Sequence, residues 1–203
     1  MLPKFIYLFD LVGTAAFAAS GAVAGVRKKM DLYGITFLGV VTAVGGGTLR
    51  DIVVGRIPPF IFRDYNYLII SILISLMTFY FHRLIERRFK FLLIMDALGL
   101  GIFTVIGTSI GMEYNIGMIG SVFLGVMTGT FGGMIRDVLQ QEVPLVLQRE
   151  IYASACIVGG FFYILAHKMG LSETFSVTLA VIVVFSIRLI SIFKNWNLPK
   201  PKV

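Results

Sequence analysis

The chain has 203 residues, of which 57% are hydrophobic and 14% are charged, and its mean hydropathy is +0.89. This is far too apolar for an ordinary soluble domain, so the composition predicts an integral membrane protein. A formal charge of +7 would suggest a nucleic-acid partner for a soluble protein. In a membrane protein basic residues mark cytoplasmic loops instead, so we expect no nucleic-acid binding.

Seven apolar runs are candidates for crossing a hydrocarbon layer about 30 Å thick, at about 1.5 Å of rise per helical residue. The connections between them are short, and no linker separates a second domain. We therefore expect residues 1–203 to form one all-α membrane domain with seven transmembrane helices. In chain order the runs are approximately Phe5 to Val26, Tyr33 to Gly55, Tyr67 to His82, Phe91 to Met112, Gly117 to Gln140, Ile151 to Lys168 and Thr174 to Phe193.

The positions of Lys and Arg predict how these helices are oriented. With seven spans and the N-terminus outside, 13 of the 18 basic residues fall on the inner side, Arg188 among them. Because cytoplasmic loops carry the excess of Lys and Arg, we expect a plasma (inner) membrane protein with its C-terminus in the cytoplasm. The basic segment His82 to Lys90 is expected to be a cytoplasmic loop that touches anionic membrane lipids.

The sequence repeats itself after 86 residues. Without a gap, "DLVGTAAFAASGAVAG" (Asp10 to Gly25) aligns with "DALGLGIFTVIGTSIG" (Asp96 to Gly111), and positions 10–65 share 17 identities in 56 with positions 96–151. Each copy contains three spans, an odd number, so the second copy must be inverted relative to the first, as in many transport proteins. The expected units are residues 5–82, residues 91–168 and a seventh helix, residues 174–193, without a counterpart.

Both copies place adjacent glycines where their second span reaches the middle of the membrane. Each glycine destabilises a helix interior by about 1 kcal/mol, and consecutive glycines invite a kink or break, which lipid tolerates only beside protein or a water-filled cavity. Close helix packing is the alternative, but adjacent glycines point in different directions, so we expect kinked or broken helices. The glycines concerned are Gly45, Gly46 and Gly47 in the first copy and Gly132 and Gly133 in the second.

One turn beyond the glycines, both copies carry the dipeptide Arg-Asp. Adjacent residues do not face each other on a helix, so we expect each buried arginine to need another partner. The first span of each copy supplies an aspartate at a matching depth, which predicts two symmetry-related clusters on either side of the midplane; the alternative is that these charges only hold the fold together. The clusters are Asp10, Arg50 and Asp51 in the first copy and Asp96, Arg136 and Asp137 in the second.

Small hydroxyl side chains, including Thr48 and Thr128, accompany these features. Hydroxyl and carbonyl oxygens without a dense ring of fixed charge suit a partly hydrated monovalent cation, and they suit a small zwitterion nearly as well. The alternative is that each hydroxyl bonds its own helix backbone. The two histidines, His82 and His167, are isolated near span ends, and no nucleophile with a base is found, so we expect neither enzyme activity nor a cofactor or metal site.

The two "GG..RD" motifs, the duplicated three spans and the unpaired last span resemble the prokaryotic branch of the trimeric intracellular cation channels, a pattern also described in bacteria as a glycine transporter family. The resemblance implies a homotrimer in which each subunit has its own potassium-permeable pore. It implies that the second and fifth spans kink at their glycines around that pore, with Arg50 and Arg136 beside the pathway. Channels and alternating-access carriers both use inverted repeats and broken helices, so a glycine-like small-molecule carrier stays the alternative.

Overall fold

The computed structural model describes residues 4–82, 89–148 and 151–194, and its regular secondary structure there is helical. The helices of these ranges are α1 (Lys4–Arg27), α2 (Leu32–Val53), α3 (Phe60–Arg63), α4 (Asn66–Tyr80), α5 (Phe89–Glu113), α6 (Gly117–Leu139), α7 (Leu145–Gln148), α8 (Ala153–Lys168) and α9 (Glu173–Lys194). Five of them, α1, α2, α5, α6 and α9, are long and apolar enough to cross a membrane. Helices α4 and α8 are apolar but have only 15 and 16 residues.

The helix bounds repeat along the chain. Helices α5 to α8 begin 85 to 87 residues after α1 to α4, close to the shift that aligns the two copies in sequence. Local signals set several of the ends: the Asp31 side chain accepts a hydrogen bond from the Gly34 amide at the start of α2, and Gly55 adopts a positive φ of 72° just after it. The basic segment expected to be a loop falls largely on residues 83–88, which lie outside the described residues.

The second helices of the two copies, α2 and α6, cross so closely that each needs a glycine at the contact. A Cβ atom on Gly46 would collide with the carbonyl oxygen of Thr128, and one on Gly132 would collide with the carbonyl oxygen of Thr42. Gly132 is the equivalent of Gly46, and Thr128 is the equivalent of Thr42, so one contact is made twice. Reciprocal contacts of this kind arise when a two-fold axis relates two similar surfaces.

Helices α2 and α6 are continuous through their glycines, so neither helix is broken there, and a kink at the glycines stays a prediction. Each glycine of the first copy instead makes room for a different neighbour. Gly46 faces α6, while a Cβ on Gly47 would lie 2.6 Å from the Phe60 ring and one on Gly45 would lie 2.8 Å from the end of Ile135. Adjacent glycines can therefore all serve packing, because α2 has close neighbours on several sides.

The first helices of the two copies, α1 and α5, pack around a pair of equivalent phenylalanines. The ring centroids of Phe17 and Phe103 lie 5.2 Å apart, and both side chains are buried. Glycines again make the room: a Cβ on Gly99 would collide with the Phe17 ring, and one on Gly13 would lie 2.8 Å from Ile102. This aromatic pair joins the two copies at the centre of the bundle.

The last helix, α9, packs mainly against α5 and α8 and carries a buried arginine. Arg188 is 1% exposed, its Nη1 donates to the Ile151 carbonyl oxygen at 2.8 Å, and its guanidinium lies 4.3 Å from the centre of the Tyr152 ring. Arg188 was expected on the cytoplasmic side. The structure places it inside the bundle, so it does not belong to the loop charge that predicts the orientation.

We predict that Gly46→Ala destabilises the protein, because the new Cβ would meet a backbone carbonyl that cannot rotate away. Such overpacking typically costs about 1–3 kcal/mol, or roughly 2–12 °C in melting temperature for a chain of this size. Gly45→Ala is the matched control, since its Cβ would meet only the flexible end of Ile135. Thermal unfolding in detergent compares the variants, and an unchanged melting temperature for G46A would contradict the close crossing.

Candidate functional site

Arg50 lies one turn beyond the crossing glycine of α2 and pairs with the aspartate that follows it. It is 2% exposed, and its Nε and Nη2 atoms donate to Asp51 Oδ1 at 2.9 and 2.8 Å. The other oxygen, Asp51 Oδ2, accepts from the backbone N–H of Phe60 at 2.8 Å, and the Phe60 ring lies 5.5 Å from the guanidinium. Asp51 therefore neutralises Arg50 and also holds the first amide of α3.

Arg136 makes the equivalent pair on α6 and two further contacts. Its Nε donates to Asp137 Oδ1 at 2.8 Å, and Asp137 Oδ2 accepts from the backbone N–H of Leu145, the first residue of α7, at 2.8 Å. Its Nη1 donates to Asp96 Oδ1 and to Ser20 Oγ, both at 2.6 Å. Arg136 is 1% exposed, so the cluster lies buried between α1, α5 and α6.

The structure pairs Asp96 directly with Arg136, whereas Arg50 acts on Asp10 only electrostatically. No ion pair joins Asp10 and Arg50 in the described ranges; Asp10 Oδ2 accepts from the Tyr67 hydroxyl at 2.8 Å instead. The expected Asp10–Arg50 pair is therefore wrong, and Arg50 needs no partner beyond the next residue. The long arginine side chain folds back to an aspartate that a backbone amide holds in place, which helical spacing alone does not predict.

The threonine hydroxyls beside the glycines are bonded to their own helices. Thr48 Oγ1 donates to the Val44 carbonyl oxygen at 2.8 Å, and Thr128 Oγ1 donates to the Leu124 carbonyl oxygen at 2.6 Å. Thr48 is half-buried and Thr128 is buried. Because their hydrogens are used, these hydroxyls have only oxygen lone pairs to offer to an ion.

A cavity of about 440 Å³, here called the vestibule, opens beside Arg136 at the end of the bundle where α1 and α6 end. Its lining includes the buried Arg136 and Asp137 and the more exposed Gln140 and Glu142. Glu142 is paired with Lys28, and the hydrogen bond from that lysine holds the pKa of Glu142 below its usual range. The vestibule connects the Arg136 cluster with the surface.

A second polar cluster closes the other end of the second copy, beside a cavity of about 330 Å³. Tyr163 donates to Glu173 Oε1 at 2.7 Å, and His167 Nδ1 lies 3.1 Å from Glu173 Oε2. His167 is therefore not isolated, as the sequence suggested, but helps to tie α8 to α9. The described part of the chain contains no group of three His, Cys, Asp or Glu side chains that could hold a metal ion.

Two tyrosines and a serine lie beside the charged clusters, and the two tyrosines were not expected from the sequence. Ser20 accepts from Arg136, and Tyr67 donates to Asp10. Tyr152 lies near the second cluster. A Cβ atom placed on Gly133 would be 3.1 Å from the Tyr152 hydroxyl and 3.5 Å from Arg136 Nη2. The sequence signal that could have identified the two tyrosines is that each lies close to the start of the third span of its copy.

Comparison with known proteins gives a family model, described as "Glycine transporter", that matches residues 7–83 and 93–168. The UPF0126 membrane protein of Vibrio cholerae serotype O1 is 41% identical over 199 residues, which cover 98% of this chain and 82% of the relative. The UPF0126 inner membrane protein YadS of Escherichia coli (strain K12) is 40% identical over 203 residues, which cover 97% of this chain and 95% of the relative.

A solved trimeric intracellular cation channel orthologue from Rhodobacter sphaeroides is similar with a TM-score of 0.91 and 34% identity, over 96% of this chain and 100% of the other. The chain belongs to the trimeric intracellular cation channel family. It is therefore a multi-pass membrane protein, as its inner membrane relative in E. coli also indicates. The family model carries a different activity in its description, that of a glycine transporter.

In this member of the channel family, we predict that the same substitution has unequal effects in the two clusters. Asp51→Asn leaves Arg50 buried without an ion pair, which typically costs about 3–5 kcal/mol. Asp137→Asn leaves Arg136 paired with Asp96 at 2.6 Å, so we expect a loss of only about 1–3 kcal/mol. Thermal unfolding of the two purified variants distinguishes them, and an equal or larger loss for D137N would contradict the pairing.

Proposed function

We propose that this chain forms a cation channel, that potassium is the permeant ion, and that the conducting pathway lies inside each subunit between α2 and α6. The observation that carries the proposal is the pair of buried Arg-Asp clusters just beyond the crossing of these helices, one of which opens into the vestibule. Ionisable groups at membrane depth are costly and commonly mark ion pathways. The description of the R. sphaeroides relative as a trimeric cation channel supports the same function.

The proposed channel is a homotrimer whose subunits each cross the plasma membrane seven times, with the N-terminus outside and the C-terminus in the cytoplasm. The five long apolar helices and the shorter α4 and α8 support seven crossings. The reciprocal glycine contacts support two inverted copies, residues 5–82 and 91–168, followed by the helix at 174–193. In this orientation the vestibule faces the cytoplasm, and membrane lipids surround the exposed apolar faces.

The composition of the clusters favours cations over anions. Each cluster contains two aspartates for one arginine. Both arginines form ion pairs with aspartates of their own cluster, so their positive charge is neutralised. Net negative charge beside a pathway concentrates cations and repels anions. In this proposal Asp10, Arg50, Asp51, Asp96, Arg136 and Asp137 set the field, Gly45, Gly46, Gly47, Gly132 and Gly133 let the helices lie close, and Thr48 and Thr128 offer oxygens.

A glycine-like carrier is the second candidate, and one observation at the Arg136 cluster favours it. Arg136 Nη2 and Asp96 Oδ2 are both buried, and neither has a hydrogen-bond partner among the residues that the structure describes. An unused guanidinium donor near an unused carboxylate oxygen suits the carboxylate and ammonium groups of a small zwitterion. The description of the family model as a glycine transporter agrees with this candidate.

Recording from purified protein in planar bilayers separates the two candidates. We expect unitary currents under a potassium chloride gradient that reverse near the potassium equilibrium potential and need no glycine, with smaller currents when sodium replaces potassium. Glycine uptake into liposomes is measured on the same preparation. Saturable uptake without unitary currents would contradict the channel and support the carrier, since only a carrier must change conformation for each molecule moved.

We predict that Gln140→Lys, which adds a positive charge to the vestibule, lowers potassium conductance roughly twofold or more at 0.1 M ionic strength. The loss should shrink at 1 M, because the screening length falls from about 10 Å to about 3 Å. Gln141→Lys is the matched control, since it adds the same charge at an exposed position that does not line the vestibule. Equal single-channel conductance in both variants at low salt would place the pathway elsewhere.

A further inference from the structure

Asp10 is a buried carboxylate with an unused oxygen. It is 4% exposed, its Oδ2 accepts a hydrogen bond from the Tyr67 hydroxyl at 2.8 Å, and its Oδ1 has no partner in the ranges that the structure describes. A single neutral hydroxyl compensates a buried negative charge poorly, because a carboxylate taken out of water needs an opposite charge or several donors. Asp10 therefore requires one further positive group.

The positive charges near Asp10 do not meet this requirement. Arg50 acts on Asp10 electrostatically, but it directs both Nε and Nη2 at Asp51 and makes no hydrogen bond to Asp10 in the described chain. Arg56, half-buried in the turn after α2, acts on Asp10 electrostatically, but no hydrogen bond or ion pair between the two is found in the described chain. Among the described residues, the other groups that act on Asp10 are Asp51, which repels a negative charge, and the neutral Tyr67 and Tyr7.

The equivalent aspartate of the second copy is in a different situation. Asp96 Oδ1 accepts from Arg136 at 2.6 Å, so the carboxylate has a direct cationic partner, although its Oδ2 has no hydrogen-bond partner within the described ranges. A second buried cation stands nearby, because Arg188 of α9 stacks on Tyr152, whose hydroxyl lies beside the same cluster. The first copy has no helix equivalent to α9, so no such arginine reaches Asp10.

We propose that Asp10 Oδ1 binds a partly dehydrated monovalent cation, with the Tyr67 hydroxyl oxygen as a second ligand. One carboxylate with neutral oxygens suits a monovalent ion, whereas a divalent ion prefers several carboxylates. The inference deepens the proposed channel function, since it assigns the permeant ion a binding position in the first copy. It also makes the two halves of the pathway chemically unequal.

Potassium-dependent thermal stability tests the site without measuring flux. Purified protein is melted at neutral pH in potassium chloride and in N-methyl-D-glucamine chloride of equal ionic strength. For the unmodified chain we expect potassium to raise the melting temperature by roughly 3–6 °C at a concentration ten times the dissociation constant. We expect Asp10→Asn to lose this increment, whereas Asp96→Asn, the matched control, should keep it even though its own stability falls.

Two further variants remain informative if D10N fails to fold. Tyr67→Phe keeps the ring but removes the hydroxyl oxygen, so it should weaken the apparent potassium affinity roughly threefold to tenfold. Arg56→Gln removes one of the cations that act on Asp10 electrostatically, so it should tighten the apparent affinity for potassium by a similar factor. Opposite shifts in these two variants identify the site, because a merely structural role for Tyr67 or Arg56 would not change the salt-specific increment.

The outcomes separate this inference from the channel proposal. A protein that conducts potassium but shows no potassium-specific stabilisation would overturn the site and leave the channel intact; Asp10 would then be neutralised by a proton. Stabilisation that persists in D10N, or that is lost equally in D96N, would overturn it as well. Potassium stabilisation that depends on Asp10, in a protein without unitary currents, would support the site and contradict the channel.

Discussion

The close crossing of α2 and α6 at Gly46 and Gly132 is the constraint on which the rest of the structure depends. Neither glycine can carry a side chain against the carbonyl it faces, so the two helices meet in one register. Arg50 and Arg136 follow these glycines by one turn, and each is bonded to an aspartate that also holds the first amide of the next short helix. The contact between the two helix backbones thus sets the positions of both charged clusters and of the short helices α3 and α7 that follow them.

The sequence predicts this arrangement to the extent that it is duplicated. Apolar runs predict the helices, and the repeat predicts that α2 and α6 make equivalent contacts. It does not predict that Gly45 and Gly47 pack against Ile135 and Phe60, because a sequence shows where a side chain is missing but not what fills the space. The pairing of Arg50 with Asp51 depends on the amide of α3, which lies beyond the end of α2, so helical spacing did not predict it. Arg188 lies on a helix without a counterpart in the repeat, so symmetry gave no information about its burial.

The two copies share a backbone plan but differ in charge, and this difference gives the molecule its proposed chemistry. Arg136 is held by Asp96 and Asp137 and faces the vestibule, whereas the one direct partner of the Asp10 side chain in the described part of the chain is Tyr67. A pathway in which both aspartates are paired with an arginine at one end, and a carboxylate has no ion pair among the described residues at the other, differs for ions that enter from opposite sides. Helix α9 contributes to this asymmetry because it packs on the second copy.

The central claim is that each subunit of a trimer carries its own pathway through the vestibule, and stepwise chemical block tests it most directly. Gln148→Cys places a thiol in the vestibule, and Leu147→Cys places one beside it on an exposed position outside the lining, while the single natural cysteine is buried. With a cationic thiol reagent on the cytoplasmic side, the account predicts that the Q148C current falls in three equal steps and that L147C is unaffected. A single complete step, or no block, would contradict it.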